Sequence, residues 1–125
     1  MAQHNTLGTL GEEMAVEYLI ERGYTVRERN WRMNKLELDI VAEKNARIII
    51  VEVKTRGLGS LTDPLDAITP AKIRRTVNAA NVYMRYNALP QEVQFDIITI
   101  VGDSRENARI EHIVDAFRPP LRSYR

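Results

Sequence analysis

The chain has 125 residues, 44% of them hydrophobic and 28% charged, with a formal net charge of +1. That is the make-up of an ordinary globule, so residues 1–125 are expected to form a single domain whose core needs no covalent staples. The absence of cysteine excludes disulfides, thiolate catalysis and cysteine-based metal sites, and the near-neutral charge announces no overall field for a polyanion.

No apolar run approaches a membrane span, and the opening MAQHNTLGTL lacks the core of a signal peptide. A cytoplasmic protein with no membrane partner is therefore expected. Arginine supplies 14 of the 18 basic residues. Guanidinium forks suit phosphate oxygens, although genomic composition produces the same bias.

Taken in order, Thr6 to Arg22 has the spacing of an amphipathic helix. Leu7, Leu10, Met14 and Tyr18 form its apolar stripe, widened by Ala15 and Leu19. Asn5 or Thr6 is the candidate cap and Gly23 the candidate stop. Gly8 and Gly11 weaken such a helix, which suggests close approach of another segment. Tyr24–Trp31 alternates loosely and reads as a strand. Lys35–Glu43 alternates strictly, placing Leu36, Leu38, Ile40 and Ala42 on one face and Glu37, Asp39, Val41 and Glu43 on the other. A turn at Lys44-Asn45 leads into RIIIVEVKTR (47–56), predicting an antiparallel hairpin.

Gly57–Thr69 reads as a loop, and Thr69-Pro70 as a cap followed by proline at the first helical position. The second helix should run to about Asn87 with Ile73, Val77, Ala80 and Met84 buried. Val93–Val101 and Ala108–Val114 complete the strands, and the tail RPPLRSYR reads as extended and basic. A long helix between two apolar strands favours a parallel crossover. The expected fold is α/β, with a mixed central sheet of about five strands flanked by helices.

RIIIVEVKTR also carries the chemical question. A buried charge costs several kcal/mol (on the order of 3 or more) unless it is paired, metal-bound or solvated, yet Glu52 and Lys54 sit in an aliphatic strand. Side chains two apart share a face, so these two project together. If the hairpin forms, Asp39 and Glu52 lie at comparable distances from its turn and can come side by side. Two carboxylates and a lysine, without histidine or cysteine, make a hard oxygen site of the kind that takes Mg²⁺ or Mn²⁺. On the first helix, Glu12 falls between Leu19 and Val16 on the flank of the apolar arc, pointing toward the sheet. The plainer readings are a simple Glu52–Lys54 ion pair at a strand end and a Glu12 that reaches solvent.

The ordered series weighs against those plainer readings. Asp39, then twelve residues, then Glu52-Val53-Lys54, with a helical acid before them, resembles the PD-(D/E)XK nuclease superfamily of restriction endonucleases and Holliday junction resolvases. Nearly the whole chain is similar to the YraN family of that superfamily. The likeness rests on Gly8–Tyr24, RNWR (29–32), ELDIVA (37–42), VEVKTR (51–56), Ala67 with Lys72, FDII (95–98) and DAF (115–117). Two positions depart from the pattern: Leu36 replaces a glycine, and Leu38 stands where the superfamily motif has proline.

This resemblance implies a restriction endonuclease-like core. It implies Asp39 and Glu52 as metal ligands, helped by the Val53 carbonyl, with Mg²⁺ or Mn²⁺ as cofactor. Lys54 would polarise the attacking water and stabilise charge on the phosphate, and Glu12 would complete the catalytic set. Arg56 and Lys72 would contact nucleic acid, whereas Arg74 and Arg75 read as a solvated helix face. The implied function is binding of DNA, with RNA open as an alternative, and metal-dependent cleavage of branched or structured substrates. A homodimer follows by analogy with resolvases. The competing expectation is a catalytically silent binding or interaction module of the same fold. Trp31 fits a core anchor better than a base-stacking platform. His4 and His112 have no partner pattern.

Overall fold

A computed structural model describes residues 6–119. The expectations for Asn5, His4 and the last residues of the tail lie outside these. The elements are α1 (Thr6–Glu21), β1 (Thr25–Met33), β2 (Leu36–Lys44), β3 (Arg47–Arg56), a short 3-10 turn (Pro64–Ala67), α2 (Pro70–Tyr86), β4 (Glu92–Val101) and β5 (Arg109–Phe117). The five strands form one sheet in the order β1-β2-β3-β4-β5. β3 and β4 are parallel across the α2 crossover, and the other pairs are antiparallel. This is the mixed α/β sheet expected, with an arrangement consistent with a restriction endonuclease-like core. No helix among the described residues is long and apolar enough to cross a membrane.

The two helices cover opposite faces of the sheet. Met14, Ala15 and Leu19 of α1 pack on Ile40, Ala42, Ile49, Val51, Val53, Ile98 and Ile100. Ala79, Ala80, Tyr83 and Met84 of α2 pack on Leu38, Val41, Ile48, Ile50 and Phe95. A central strand buried on both faces loses its polar alternation, which is why β3 is aliphatic almost throughout. α1 ends in a Schellman motif: Gly23 takes a φ of 90°, its N–H donates to Ile20 O, and Tyr24 N–H donates to Leu19 O. Gly11 meets the expectation of close approach, because a Cβ there would collide with Thr55 Cγ2 on β3. Thr69 caps α2 by accepting from Lys72 N–H at 3.2 Å, ahead of Pro70.

Two details differ from the pattern expected of the sequence. The β2–β3 ladder runs from Lys44↔Arg47 only to Ile40↔Val51, after which β2 pairs with β1 alone. A free two-stranded ribbon twists more strongly than a sheet interior. The facing of β2 accordingly changes at Asp39: Ile40 and Ala42 lie in the α1 layer, but Leu38 and Leu36 lie in the α2 layer with Trp31. The buried seam of α2 is also rotated. Thr76, Ala79, Ala80, Tyr83 and Met84 are buried, while Ile73 and Val77 are only partly so. Tyr83 draws the helix round, since its ring packs edge-on to Trp31 at 5.3 Å. Lys72, one turn before Thr76, is thereby turned toward the sheet.

Candidate functional site

The place where β2 parts from β3 opens a pocket of about 360 Å³. Glu12, Asp39, Glu52, Lys54, Arg56 and Lys72 all line it, together with Gly8, Thr9, Asn30, Glu37, Val53 and Thr55. Every residue singled out from the sequence as a candidate site residue is therefore in one cavity. Asp39 and Glu52 fall one step beyond the last ladder pair, Ile40↔Val51, so no ladder bond joins them. Instead, Asp39 Oδ2 accepts the Val53 N–H at 2.9 Å, so the carboxylate takes up a backbone donor that the departing strand no longer satisfies.

Glu52 is the most deeply set charge of the group, with 8% of its side chain exposed. Its Oε2 lies 3.3 Å from Lys72 Nζ and 3.6 Å from Lys54 Nζ. Burial nevertheless pushes its pKa above the usual carboxylate range, reinforced by the nearby Asp39 charge, and the two ammoniums only partly offset this. Asp39 is raised too, by burial first, against the lowering effects of the Val53 N–H, Lys72 and Lys54. On the α1 wall, Glu12 Oε1 accepts from Asn30 Nδ2 at 2.9 Å. Glu12 is raised chiefly by burial, with Asn30 lowering it and Asp39 raising it further.

The donor set suits a particular kind of cation. No group of three or more His, Asp or Glu side chains able to hold a metal occurs among the described residues. Asp39 and Glu52 alone match the habit of Mg²⁺, which uses one or two carboxylates and keeps its waters for exchange with phosphate. The raised pKa values of both carboxyls come first from burial, with Lys54 and Lys72 as the opposing charges. Arg56 stands at the rim, its Nε donating to Thr62 Oγ1 and one terminal nitrogen to Thr55 O. Arg74 and Arg75 are exposed on α2 and do not line the pocket.

Some contributors were not assigned from the sequence. Asn30 and Glu37 line the pocket. Asn30 lay within the RNWR signature, but only the fold shows it facing α1. His112, which has no partner pattern in the sequence, is anchored by Asp96: Nε2 lies 2.7 Å from Asp96 Oδ2 and Nδ1 lies 3.2 Å from Tyr18 Oη. The FDII segment was the available signal for Asp96, but a pairing across 16 residues needs the β4–β5 register.

Comparison with known proteins agrees in extent with this arrangement. The family model described as "Uncharacterised protein family UPF0102" matches residues 11–100, a span that holds all six candidate site residues. A UPF0102 protein of Bacteroides fragilis is 54% identical over 97% of this chain and 99% of its own length. One from Bacteroides thetaiotaomicron is 51% identical over the same shares. One from Flavobacterium psychrophilum is 45% identical over 94% of this chain and 98% of its own length.

Proposed function

We propose that this chain, which belongs to the UPF0102 or YraN family, binds nucleic acid at the β2–β3 pocket and is a divalent-metal-dependent phosphodiesterase acting on branched or structured DNA. The observation that carries the proposal is the convergence of Asp39, Glu52 and Lys54 in one pocket, with Arg56 and Lys72 at hand for phosphate. Asp39 and Glu52 would hold Mg²⁺ or Mn²⁺. Such an ion, when bound, lowers the pKa of its water and stabilises charge on phosphoryl oxygens.

The chain's own groups do the rest. Lys54 and Lys72 neutralise Glu52 in the free protein, and each presents an ammonium that can transfer to a phosphate oxygen once Glu52 is otherwise occupied. Asp39 stays fixed through its Val53 hydrogen bond, leaving its other oxygen for ligation. Glu12, on the α1 wall, supplies a third acidic group beside Asp39 and Glu52. Arg56 at the rim steers the sugar–phosphate backbone without reading sequence.

Cleavage of linear, flapped and four-way DNA, with RNA counterparts, in Mg²⁺ or Mn²⁺ is the test. Activity confined to divalent cation and abolished by Asp39→Ala and by Lys54→Ala is expected. Cleavage that survives both substitutions would overturn the assignment.

A second reading has one observation in its favour. Glu52 is already charge-balanced by two lysines, which suits a binding module that has lost turnover. Salt-dependent DNA binding with no cleavage of any substrate would select it.

A further inference from the structure

Asn30 is the conformational oddity of β1. Its φ is 53°, in the left-handed region, inside an otherwise extended strand. A non-glycine residue there is uncommon, and asparagine is among the few that tolerate it. Both neighbours are pinned: Arg29 pairs with Ile40, and Trp31 pairs with Leu38 while its ring packs on Tyr83. The surrounding sheet therefore holds Asn30 in this conformation, and strain kept at the wall of a pocket points to use.

That use is visible in what the side chain reaches. From the left-handed backbone, Asn30 Nδ2 donates to Glu12 Oε1 at 2.9 Å, bridging β1 to α1 across the pocket wall. Among the described residues it is the side-chain donor to Glu12, whose other oxygen takes no such bond. Glutamate has three side-chain torsions, so an untethered carboxylate on a half-open wall would sample several rotamers. Aspartate would tolerate the same backbone but would set a second carboxylate against Glu12 instead of a donor. The amide therefore supplies a donor that the backbone conformation alone does not.

We propose that Asn30 is a positioning residue, its left-handed backbone aiming the amide so that Glu12 is held in one orientation over the pocket. The consequence for cleavage rests on the nuclease reading given above, but the tether itself does not. Burial raises the Glu12 pKa, and the Asn30 hydrogen bond opposes that rise.

The experiment compares Asn30→Gly, Asn30→Asp and Asn30→Ala in the full chain. At fixed neutral pH, the Glu12 carboxyl carbon and methylene protons are followed by NMR, assigned with Glu12→Gln. Glycine keeps the backbone free to adopt φ near 53° and removes the side chain that carries the amide. Asn30→Gly is expected to shift the Glu12 carboxyl signal and average its methylene protons. Glu12 signals unchanged from the parent would overturn the proposal. In the cleavage arm, Asn30→Gly should lose about tenfold in kcat with KM little changed. Asn30→Asp should lose more than Asn30→Ala, although alanine fits the backbone less well. If alanine is instead the most damaging in both arms, the role is backbone geometry alone and the proposal fails. A parent that cleaves nothing refutes the nuclease reading, and the NMR arm then decides the tether by itself.

Discussion

Asp96 and Glu52 are buried carboxylates on adjacent parallel strands, Asp96 lying opposite Val51, the residue before Glu52. Their surroundings could hardly differ more. Asp96 is wholly enclosed, and both oxygens are engaged: Oδ1 accepts from Gln94 Nε2 and from the Asp115 N–H, and Oδ2 meets His112. Asp115 itself takes a φ of 55° beside the irregular β4–β5 register, so Asp96 secures a bulge. Glu52 opens on a pocket and is met by ammoniums on flexible stems, which can leave. Complete engagement by fixed donors marks a structural carboxylate. Incomplete engagement, with raised pKa and exchangeable partners, is the pattern of a candidate for chemistry.

Mutation should separate the two regions, and the largest effect belongs to Asp96. Asp96→Ala leaves His112, the Asp115 N–H and Gln94 without their acceptor, and should cost about 3 kcal/mol of stability in denaturant unfolding. Next comes the seat of α1, which carries the Glu12 wall. Gly11→Ala drives a methyl into Thr55 and should cost roughly 2 kcal/mol despite alanine's better helix propensity. Thr55→Ser removes the opposing methyl and should recover most of that loss. Tyr83→Phe gives up the bonds to Arg27 and Glu28, about 1 kcal/mol, while keeping the ring against Trp31.

The smallest effect has the opposite sign. Glu52 has a folded pKa raised above its ordinary value, so its contribution is favourable at low pH and is lost as pH rises through the folded value. Glu52→Gln should therefore be slightly more stable than the parent at neutral pH. The gap should close as pH falls toward the ordinary carboxylate range, as read by thermal unfolding across pH. A Glu52→Gln protein less stable at neutral pH would mean that the two lysines outweigh burial, and the contrast with Asp96 would collapse.

Much of this was legible from residue order. The aliphatic β3, the Thr69-Pro70 start of α2, the Gly23 stop and the parallel crossover follow from local rules, and each is seen in the fold. The charged pair Glu52 and Lys54 led to Asp39, helical spacing to Glu12, and the family resemblance to Arg56 and Lys72; all six line one pocket. What the sequence concealed is non-local. Period-two alternation carried Leu38 onto the Ile40 face, whereas the twist of the free β1–β2 ribbon carries it to the other. Helical periodicity put Ile73 in the α2 seam, whereas the bulk of Tyr83 against Trp31 rotates the helix and brings Lys72 to Glu52. The Asp96–His112 pair and the Asn30–Glu12 tether join residues that only the sheet register and the α1 docking bring together.

The central claim is that the β2–β3 pocket takes a divalent cation between carboxylates that lysines neutralise in its absence. Crystals of the full chain soaked in Mn²⁺ and measured at the manganese absorption edge test it most directly. The account predicts an anomalous peak within ligand distance of Asp39 and Glu52, with Lys54 or Lys72 withdrawn from Glu52 Oε2. A pocket with no peak, both lysines still on Glu52 and unaltered protein at saturating Mn²⁺ would contradict it.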